Sequence, residues 1–220
     1  MQRTIIIADD HPLFRNALKQ TIANTLDNAD IVEAHDIVSL QSCVEKHPQT
    51  DLILLDLHMP GAHGFSGIIH LNAHHPQIPV IIVSAHESSE IIRRALDHGV
   101  AGFLPKSSPL ENISSAVEKV LAGGRWLPLD FDPDALGSSD EERSVANILS
   151  TLTPQQFRVA TMLAQGLLNK QIAYELNVTE ATVKAHITEI FRKFGVQSRT
   201  QAVLAMSRLD VQAPGDHSLN

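Results

Sequence analysis

Cysteine is almost missing. Cys43 is the only one in 220 residues, so no internal disulfide can form, and the chain suits a reducing compartment. Aromatic residues make up only 4% of the chain, with one tryptophan and one tyrosine, which leaves aliphatic side chains to fill the interior. No apolar run approaches the ~20 residues that a membrane-spanning helix needs. Positive charge is in deficit, 17 Lys and Arg against 25 Asp and Glu, which argues against an indiscriminate nucleic-acid binder. Met1-Gln2-Arg3 leads straight into a short apolar run, without the longer apolar stretch of a signal peptide. These shortages lead to the expectation of a soluble, cytoplasmic protein with no membrane partner. What is present suffices for a core: 43% of residues are hydrophobic, and the length allows two ordinary domains.

Charge divides the chain unevenly. Residues 1–121 carry 8 basic against 14 acidic side chains, residues 122–150 carry 2 against 6, and residues 151–209 carry 7 against 3. A basic C-terminal part behind an acidic N-terminal part suggests two domains with different partners.

In the first part, short apolar runs alternate with helical spacing. Four of the runs end on a small set of polar residues. Thr4–Ala8 meets Asp9 and Asp10, Leu52–Leu55 meets Asp56, Val80–Val83 meets Ser84, and Gly102–Pro105 meets Lys106. Near-continuous apolar runs suit parallel strands buried on both faces. If the runs share one sheet, their carboxyl ends bring three carboxylates, a hydroxyl and an ammonium to one edge, where open α/β sheets bind ligands. Three such acids require a hard divalent cation, and Mg2+, which keeps its waters and favours phosphate, fits best. The set reads as a metal-assisted phosphoryl-acceptor site.

The motifs Ile7-Ala8-Asp9-Asp10-His11-Pro12, Leu55-Asp56-Leu57-His58-Met59-Pro60-Gly61, Val83-Ser84-Ala85 and Phe103-Leu104-Pro105-Lys106 resemble the receiver domain of bacterial two-component response regulators. The resemblance implies that Asp56 accepts a phosphoryl group from a sensor histidine kinase. It implies Mg2+ held by Asp10, Asp56 and the His58 backbone carbonyl, and by Asp9 through water. Lys106 then neutralises charge, Ser84 binds the new phosphoryl group, and Phe103 stands at the switch aromatic position, turning inward as Ser84 is drawn in. One departure from many receivers is Ser107 after the lysine, where proline is common. His58 and His86, each two residues past a pocket residue, are expected to rim the pocket and to tune water access. His70 and His74 stand one turn apart on a helix expected to lie at the surface.

Residues 123–150, with three glycines, two prolines and six acids, read as a linker. Within it Ser139-Asp140-Glu141-Glu142 offers a helix start and Trp126 an anchor. Beyond it the strand pattern stops. Thr153-Pro154-Gln155-Gln156 forms a capping box, Gly166 a stop, and Asn177-Val178 a turn between two further helices. Val183, Ile187, Ile190 and Phe194 then share one helix face, and a small-residue face flanked by cations lies opposite. Two helices joined by a short turn make a helix-turn-helix, whose second helix enters a major groove.

The segments Leu152-Thr153-Pro154, Ala164-Gln165-Gly166, Asn169-Lys170-Gln171-Ile172-Ala173, Thr182-Val183-Lys184-Ala185-His186 and Val196–Ala202 resemble LuxR-type DNA-binding domains. Receiver and LuxR-type domain together resemble the NarL/FixJ class of response regulators. The resemblance implies that Lys184, Ala185 and Thr188 face base edges. It makes Lys170, Thr182, Lys193 and Arg199 candidates for phosphate contacts, with Arg192 on the same DNA-facing side. Glu189 is expected to pair with Arg192 or Lys193.

The expected fold is a doubly wound α/β domain with a five-stranded parallel, flavodoxin-like sheet, followed by an all-α four-helix domain. Residues 1–122 form the receiver, 123–150 the linker, 151–209 the helix-turn-helix domain, and 210–220 a frayed tail. The expected function is transcriptional control by a non-enzymatic regulator. Its partners are a sensor histidine kinase, double-stranded DNA, a second copy of the chain paired through the last helix, and RNA polymerase. In the resting form the receiver covers the recognition helix or the dimer helix. Two alternatives stay open: a DNA-binding regulator that acts independently of phosphorylation, and a phosphate sink or docking module whose helical tail only dimerises.

Overall fold

The computed structural model describes residues 2–211. Its first part alternates β1 (Thr4–Ala8), α1 (Pro12–Thr25), β2 (Asp30–Ala34), α2 (Ile37–Lys46), β3 (Leu52–Asp56), α3 (Ser66–His74), β4 (Val80–Ser84), α4 (Ser89–Asp97), β5 (Gly102–Pro105) and α5 (Leu110–Leu121). The strands form one parallel sheet in the order β2-β1-β3-β4-β5. Parallel strands need crossover helices, and successive side chains along each strand point to opposite faces. Ile5, Ile7, Leu52, Leu54, Ile81 and Val83 therefore pack under α1 and α5. Ile6, Ile53, Leu55, Ile82 and Phe103 face α2, α3 and α4. This double burial explains why β1, β3 and β4 are apolar without interruption. β2, at the sheet edge, is largely half-buried or exposed, so its sequence carried little strand signal.

Ser108-Pro109-Leu110-Glu111 has the residue pattern of a capping box, but the structure forms none there. Ser108 does not cap α5. The cap position falls on Pro109, in an extended conformation and without a side-chain hydrogen bond, because Ser108 N–H instead closes a turn onto the Pro105 carbonyl.

The stretch after α5 is more ordered than a linker. Trp126 lies beside Gly102 as a one-residue bridge on the β5 edge. Trp126 N–H donates to the Ala101 carbonyl, and the Trp126 carbonyl accepts from Phe103 N–H. The chain then crosses α4, where Asp132 N–H donates to Ser89 Oγ and Ser138 N–H to Asp97 Oδ2. It enters α6 (Asp140–Ser150), which Ser139 caps.

The C-terminal part comprises α7 (Pro154–Ala164), α8 (Asn169–Glu175), α9 (Glu180–Phe194), α10 (Arg199–Met206) and a 3-10 turn, Ser207–Leu209. The capping box at Thr153 and Gln156 forms, and Gly166 ends the segment at φ +89°. Asn177, at φ +52°, makes the tight turn between α8 and α9. No helix of the described residues is long and apolar enough to cross a membrane.

The two parts share one apolar cluster. The α2–α4 side of the sheet continues without a break into Val145 and Leu149 of α6, Phe157 of α7 and Leu209. The α3 helix is accordingly not a surface helix: six of its nine residues are buried, His70 among them. Asp210 and Val211 also depart from the expected frayed tail. Val211 is buried, and Asp210 takes hydrogen-bond and ion-pair contacts from the receiver. The rest of that tail, 212–220, lies outside the described residues.

The tightest approach between the parts is at Gly64. Its φ of +49° is a left-handed conformation, and a Cβ there would strike the Leu209 carbonyl oxygen. Gly64→Ala is therefore expected to lower whole-chain stability by about 1–3 kcal/mol, read as a lower midpoint in denaturant unfolding. An unchanged midpoint would contradict this packing.

Candidate functional site

Register builds the acidic pocket. Ala8 pairs with Leu55 across β1 and β3, so the next residues, Asp9 and Asp56, come side by side at the point where the strand order reverses. Ser84 ends β4 opposite Pro105 of β5, and Lys106 N–H donates to the Ser84 carbonyl at 2.7 Å. Asp9 and Asp56 are each only 1% exposed, and Ser84 is fully buried.

Lys106 reaches across these groups. Its Nζ donates to Asp56 Oδ2 at 2.7 Å and lies 2.7 Å from Asp9 Oδ2, while the Phe14 ring covers it at 5.0 Å. Burial works against the ammonium, yet the hydrogen bonds and charges of Asp56 and Asp9 outweigh it and hold its pKa above the usual lysine range. Asp56 Oδ1 accepts from His58 N–H at 3.1 Å. Ser84 Oγ accepts from His86 N–H at 3.1 Å.

These residues fit a hard divalent cation. Ligand atoms of Asp9, Asp10, His11 and Asp56 lie within 4.8 Å of one another. Asp9 Oδ2 and Asp10 Oδ1 are buried oxygens whose compensation comes from neighbouring charge rather than from backbone donors. Lys106 supplies it for the first, and His11 Nδ1 at 2.7 Å for the second. Asp9, Asp10 and Asp56 bring carboxylate oxygens, the hard donors such a cation takes, to this point.

His58 and His86 meet ring to ring at 4.5 Å. Burial, reinforced by His58, pushes the His86 pKa down. Phe103 is fully buried in the core.

The second candidate surface is α9. Val183, Ile190 and Phe194 face the core and Ile187 is half-buried against it, while Lys184, Ala185 and Thr188 are exposed, as are Lys170 and Thr182. Thr182 and Thr179 bond to each other at the helix start, and Thr188 Oγ1 donates to the Lys184 carbonyl. Arg192 is paired with Glu189, at 2.8 Å. Two expected phosphate contacts are engaged elsewhere. Lys193 Nζ donates to the Thr151 carbonyl and Gln156 Oε1. Arg199 Nη2 donates to the Leu163 and Leu167 carbonyls, where it satisfies acceptors left over at the end of α7.

The receiver therefore leaves the recognition face open and docks instead on the end of the chain. Phe65 N–H donates to the Leu209 carbonyl at 3.1 Å. His63 Nδ1 lies 3.3 Å from Asp210 Oδ1. On α4, Arg94 donates to Glu142 of α6 and to the Asp210 carbonyl, and His98 Nε2 lies 2.7 Å from Glu142 Oε1. Burial alone would raise the Glu142 pKa, but the His98 and Arg94 contacts prevail and lower it. Phe65 sits between Arg94 and His98. Arg158 of α7 pairs with Glu45 and Gln41 of α2. Sequence reasoning assigned no role to Arg94, His98, Glu142 or Phe65, because their significance lies in which elements meet. His11 did carry a signal, directly after the acid pair.

Two family descriptions match the chain: the response regulator receiver domain over residues 5–118, and the luxR family of bacterial regulatory proteins over residues 150–206. Among similar proteins, the glycerol metabolism activator of Pseudomonas putida is 40% identical over 95% of this chain and 97% of its own length. The nitrate/nitrite response regulator NarL of Escherichia coli strain K12 is 32% identical over 91% of this chain and 93% of its own length. Among solved structures, a complex of the response regulator RcsB with DNA has a TM-score of 0.56, at 21% identity, over 95% of this chain and all of that one, which shows the shared fold. A LuxR family DNA-binding response regulator from Silicibacter pomeroyi has a TM-score of 0.53 at 29% identity, over 59% of this chain and 99% of that one.

The pocket geometry leads to a direct expectation. Asp10→Asn should weaken divalent cation binding about tenfold or more in a Mg2+ titration followed by calorimetry, and an unchanged affinity would remove Asp10 from the ligand set.

Proposed function

This chain belongs to the LuxR family of DNA-binding response regulators, with a receiver domain ahead of its helix-turn-helix, and from that premise we propose that it takes up a phosphoryl group on Asp56 from a sensor histidine kinase and controls transcription as a homodimer on double-stranded DNA. The observation that carries the reading is the convergence of Asp9, Asp10, Asp56, Ser84 and Lys106 at the β1/β3 edge. We take residues 1–122 as the receiver, 123–150 as a structured connector, and 151–209 as the DNA-binding domain, working in the cytoplasm and, on the promoter, alongside RNA polymerase.

In the transfer, an Asp56 carboxylate oxygen bonds to phosphorus as the phosphorus–nitrogen bond of the kinase phosphohistidine breaks. His58 N–H and Lys106 hold that carboxylate in place. Asp10, Asp56 and the His58 carbonyl, with Asp9, would hold a Mg2+ ion, which when bound would supply charge neutralisation on the phosphoryl oxygens. Ser84 Oγ accepts from His86 N–H and so keeps its own hydrogen for a phosphoryl oxygen. His58 and His86 form the rim through which hydrolytic water enters.

The described arrangement is the resting one. The phosphoryl group adds about −1.5 to −2 of charge to the carboxylate whose loop, residues 57–65, ends at the Phe65–Leu209 hydrogen bond. This loop is the direct route from pocket to dock. Its displacement releases the Leu209–Asp210 end of the chain, and the adjoining α10, whose Leu204 is exposed, pairs with a second copy. A full reversal from 99:1 to 1:99 takes about 5.5 kcal/mol, and smaller shifts still regulate.

The open recognition face supports one further reading, a regulator that binds DNA without phosphorylation. The two readings separate on Asp56→Ala. We expect this variant to lose phosphoryl uptake and to stay at the weak, resting DNA affinity when phosphodonor is supplied. Full operator affinity in that variant would favour the second reading.

Lys184→Ala tests the DNA surface. Operator affinity should fall about 5- to 150-fold, equivalent to about 1–3 kcal/mol, in a gel-shift titration. Binding at full strength would point instead to a docking or phosphate-sink module.

A further inference from the structure

His70 is buried where the two domains meet, although its helix belongs to the receiver. It is 4% exposed. The Phe157 ring of α7 lies face-on to it, with 4.1 Å between centroids and 2° between planes. His74, one turn along α3, closes the other side at 4.2 Å. Its Nδ1 has no hydrogen-bond partner among the described residues. An imidazole so enclosed is comfortable only when neutral, because protonation would bury a cation without an acceptor.

No neighbouring acid offsets that cost. On α3 itself the titratable neighbours are His74 and His75, and on α7 the charge is Arg158. Glu45 of α2 is committed to Arg158. On α6, which packs along α3, Glu142 is held by Arg94 and His98, and Arg143 lies toward Asp97 and Asp140.

We propose that His70 is a proton-sensing wedge, whose protonation parts Phe157 from α3 and opens the docked arrangement, giving this regulator an acid input that bypasses Asp56. The opening extends the proposed function by adding a second input, and its effect on DNA binding rests on the reading that the docked form is the resting one.

The sign follows from the two states. Burial, aided by His74, His75 and Arg158, pushes the docked His70 pKa down to about 3, whereas a solvated imidazole titrates near 6.5. The docked form thus holds fully above about pH 6.5 and loses about tenfold in its docking equilibrium for each pH unit below it. Other interface groups oppose this or lie outside the window. A proton on His63 faces Asp210, and one on His98 faces Glu142, so proton uptake there tightens the dock. The lowered Glu142 titrates below the range that matters.

The test uses the full chain carrying Asp56→Ala, so that phosphorylation contributes nothing. Small-angle scattering from pH 7.5 to pH 5.0 should show its radius of gyration rising, with the docking equilibrium falling about thirtyfold. The same chain with His70→Phe keeps an aromatic stack on Phe157 but cannot take a proton, and its radius should stay constant. An equal rise in both proteins, or no rise in either, overturns the proposal. Should His70→Phe fail to fold, the imidazole carbon–proton NMR signal of His70 in the Asp56→Ala chain decides. An apparent midpoint well below 6.5 that coincides with the expansion supports it, and an ordinary midpoint without expansion overturns it. DNA affinity measured on the same samples isolates the underlying reading: expansion without a gain in affinity leaves the proton wedge standing and refutes docking as the resting brake.

Discussion

The repulsion among Asp9, Asp10 and Asp56 is the constraint around which the receiver is organised. Like charges about 4 Å apart cost about 4 kcal/mol at an effective dielectric near 20, and two of these three acids are almost fully buried. The sheet register forces them together, since β1 and β3 are neighbours and both end there. Lys106 answers with one positive charge for two carboxylates, so the pocket retains an excess of negative charge. That excess is the driving force for holding a divalent cation, and through it for accepting a phosphoryl group. The Asp56 carboxylate also anchors, through His58 N–H, the loop that runs to the other domain.

Coupling in this protein is therefore short-ranged. Phe65 lies nine positions after Asp56, and its amide is hydrogen-bonded to the far end of the DNA-binding domain. Around that contact the receiver contributes cations and histidines from α4, the connector contributes Glu142, and both domains contribute to one continuous apolar cluster. Docking by a shared core is strong but undirected. The buried ion pairs and the Gly64–Leu209 approach give it a single geometry. The polar contacts of the dock fall on Leu209 and Asp210, after α10, while Lys184, Ala185 and Thr188 of α9 are exposed.

Much of this was legible in the residues alone. Uninterrupted apolar runs marked three buried strands, and the polar residues that stop them marked the pocket. The capping box at Thr153, the Gly166 stop and the Asn177 turn located the helix-turn-helix. What stayed hidden depended on tertiary meetings. β2 is too exposed to show a strand pattern, and His70 on α3 looked like a surface residue because nothing local announces that Phe157, 87 positions later, covers it. Arg199 and Lys193 looked like free cations, but each finds backbone carbonyls within its own domain. The membership of the family was written in motifs, while the manner in which the two halves hold each other was not.

The central claim is that phosphoryl uptake at Asp56 releases the dock between the loop after β3 and the end of the chain. Amide hydrogen exchange at Phe65, measured with and without a small-molecule phosphodonor and Mg2+, tests it most directly. Release predicts that the Phe65 amide, protected by the Leu209 carbonyl in the resting protein, exchanges much faster once Asp56 is phosphorylated. An amide that remains equally protected while operator affinity rises would contradict the account.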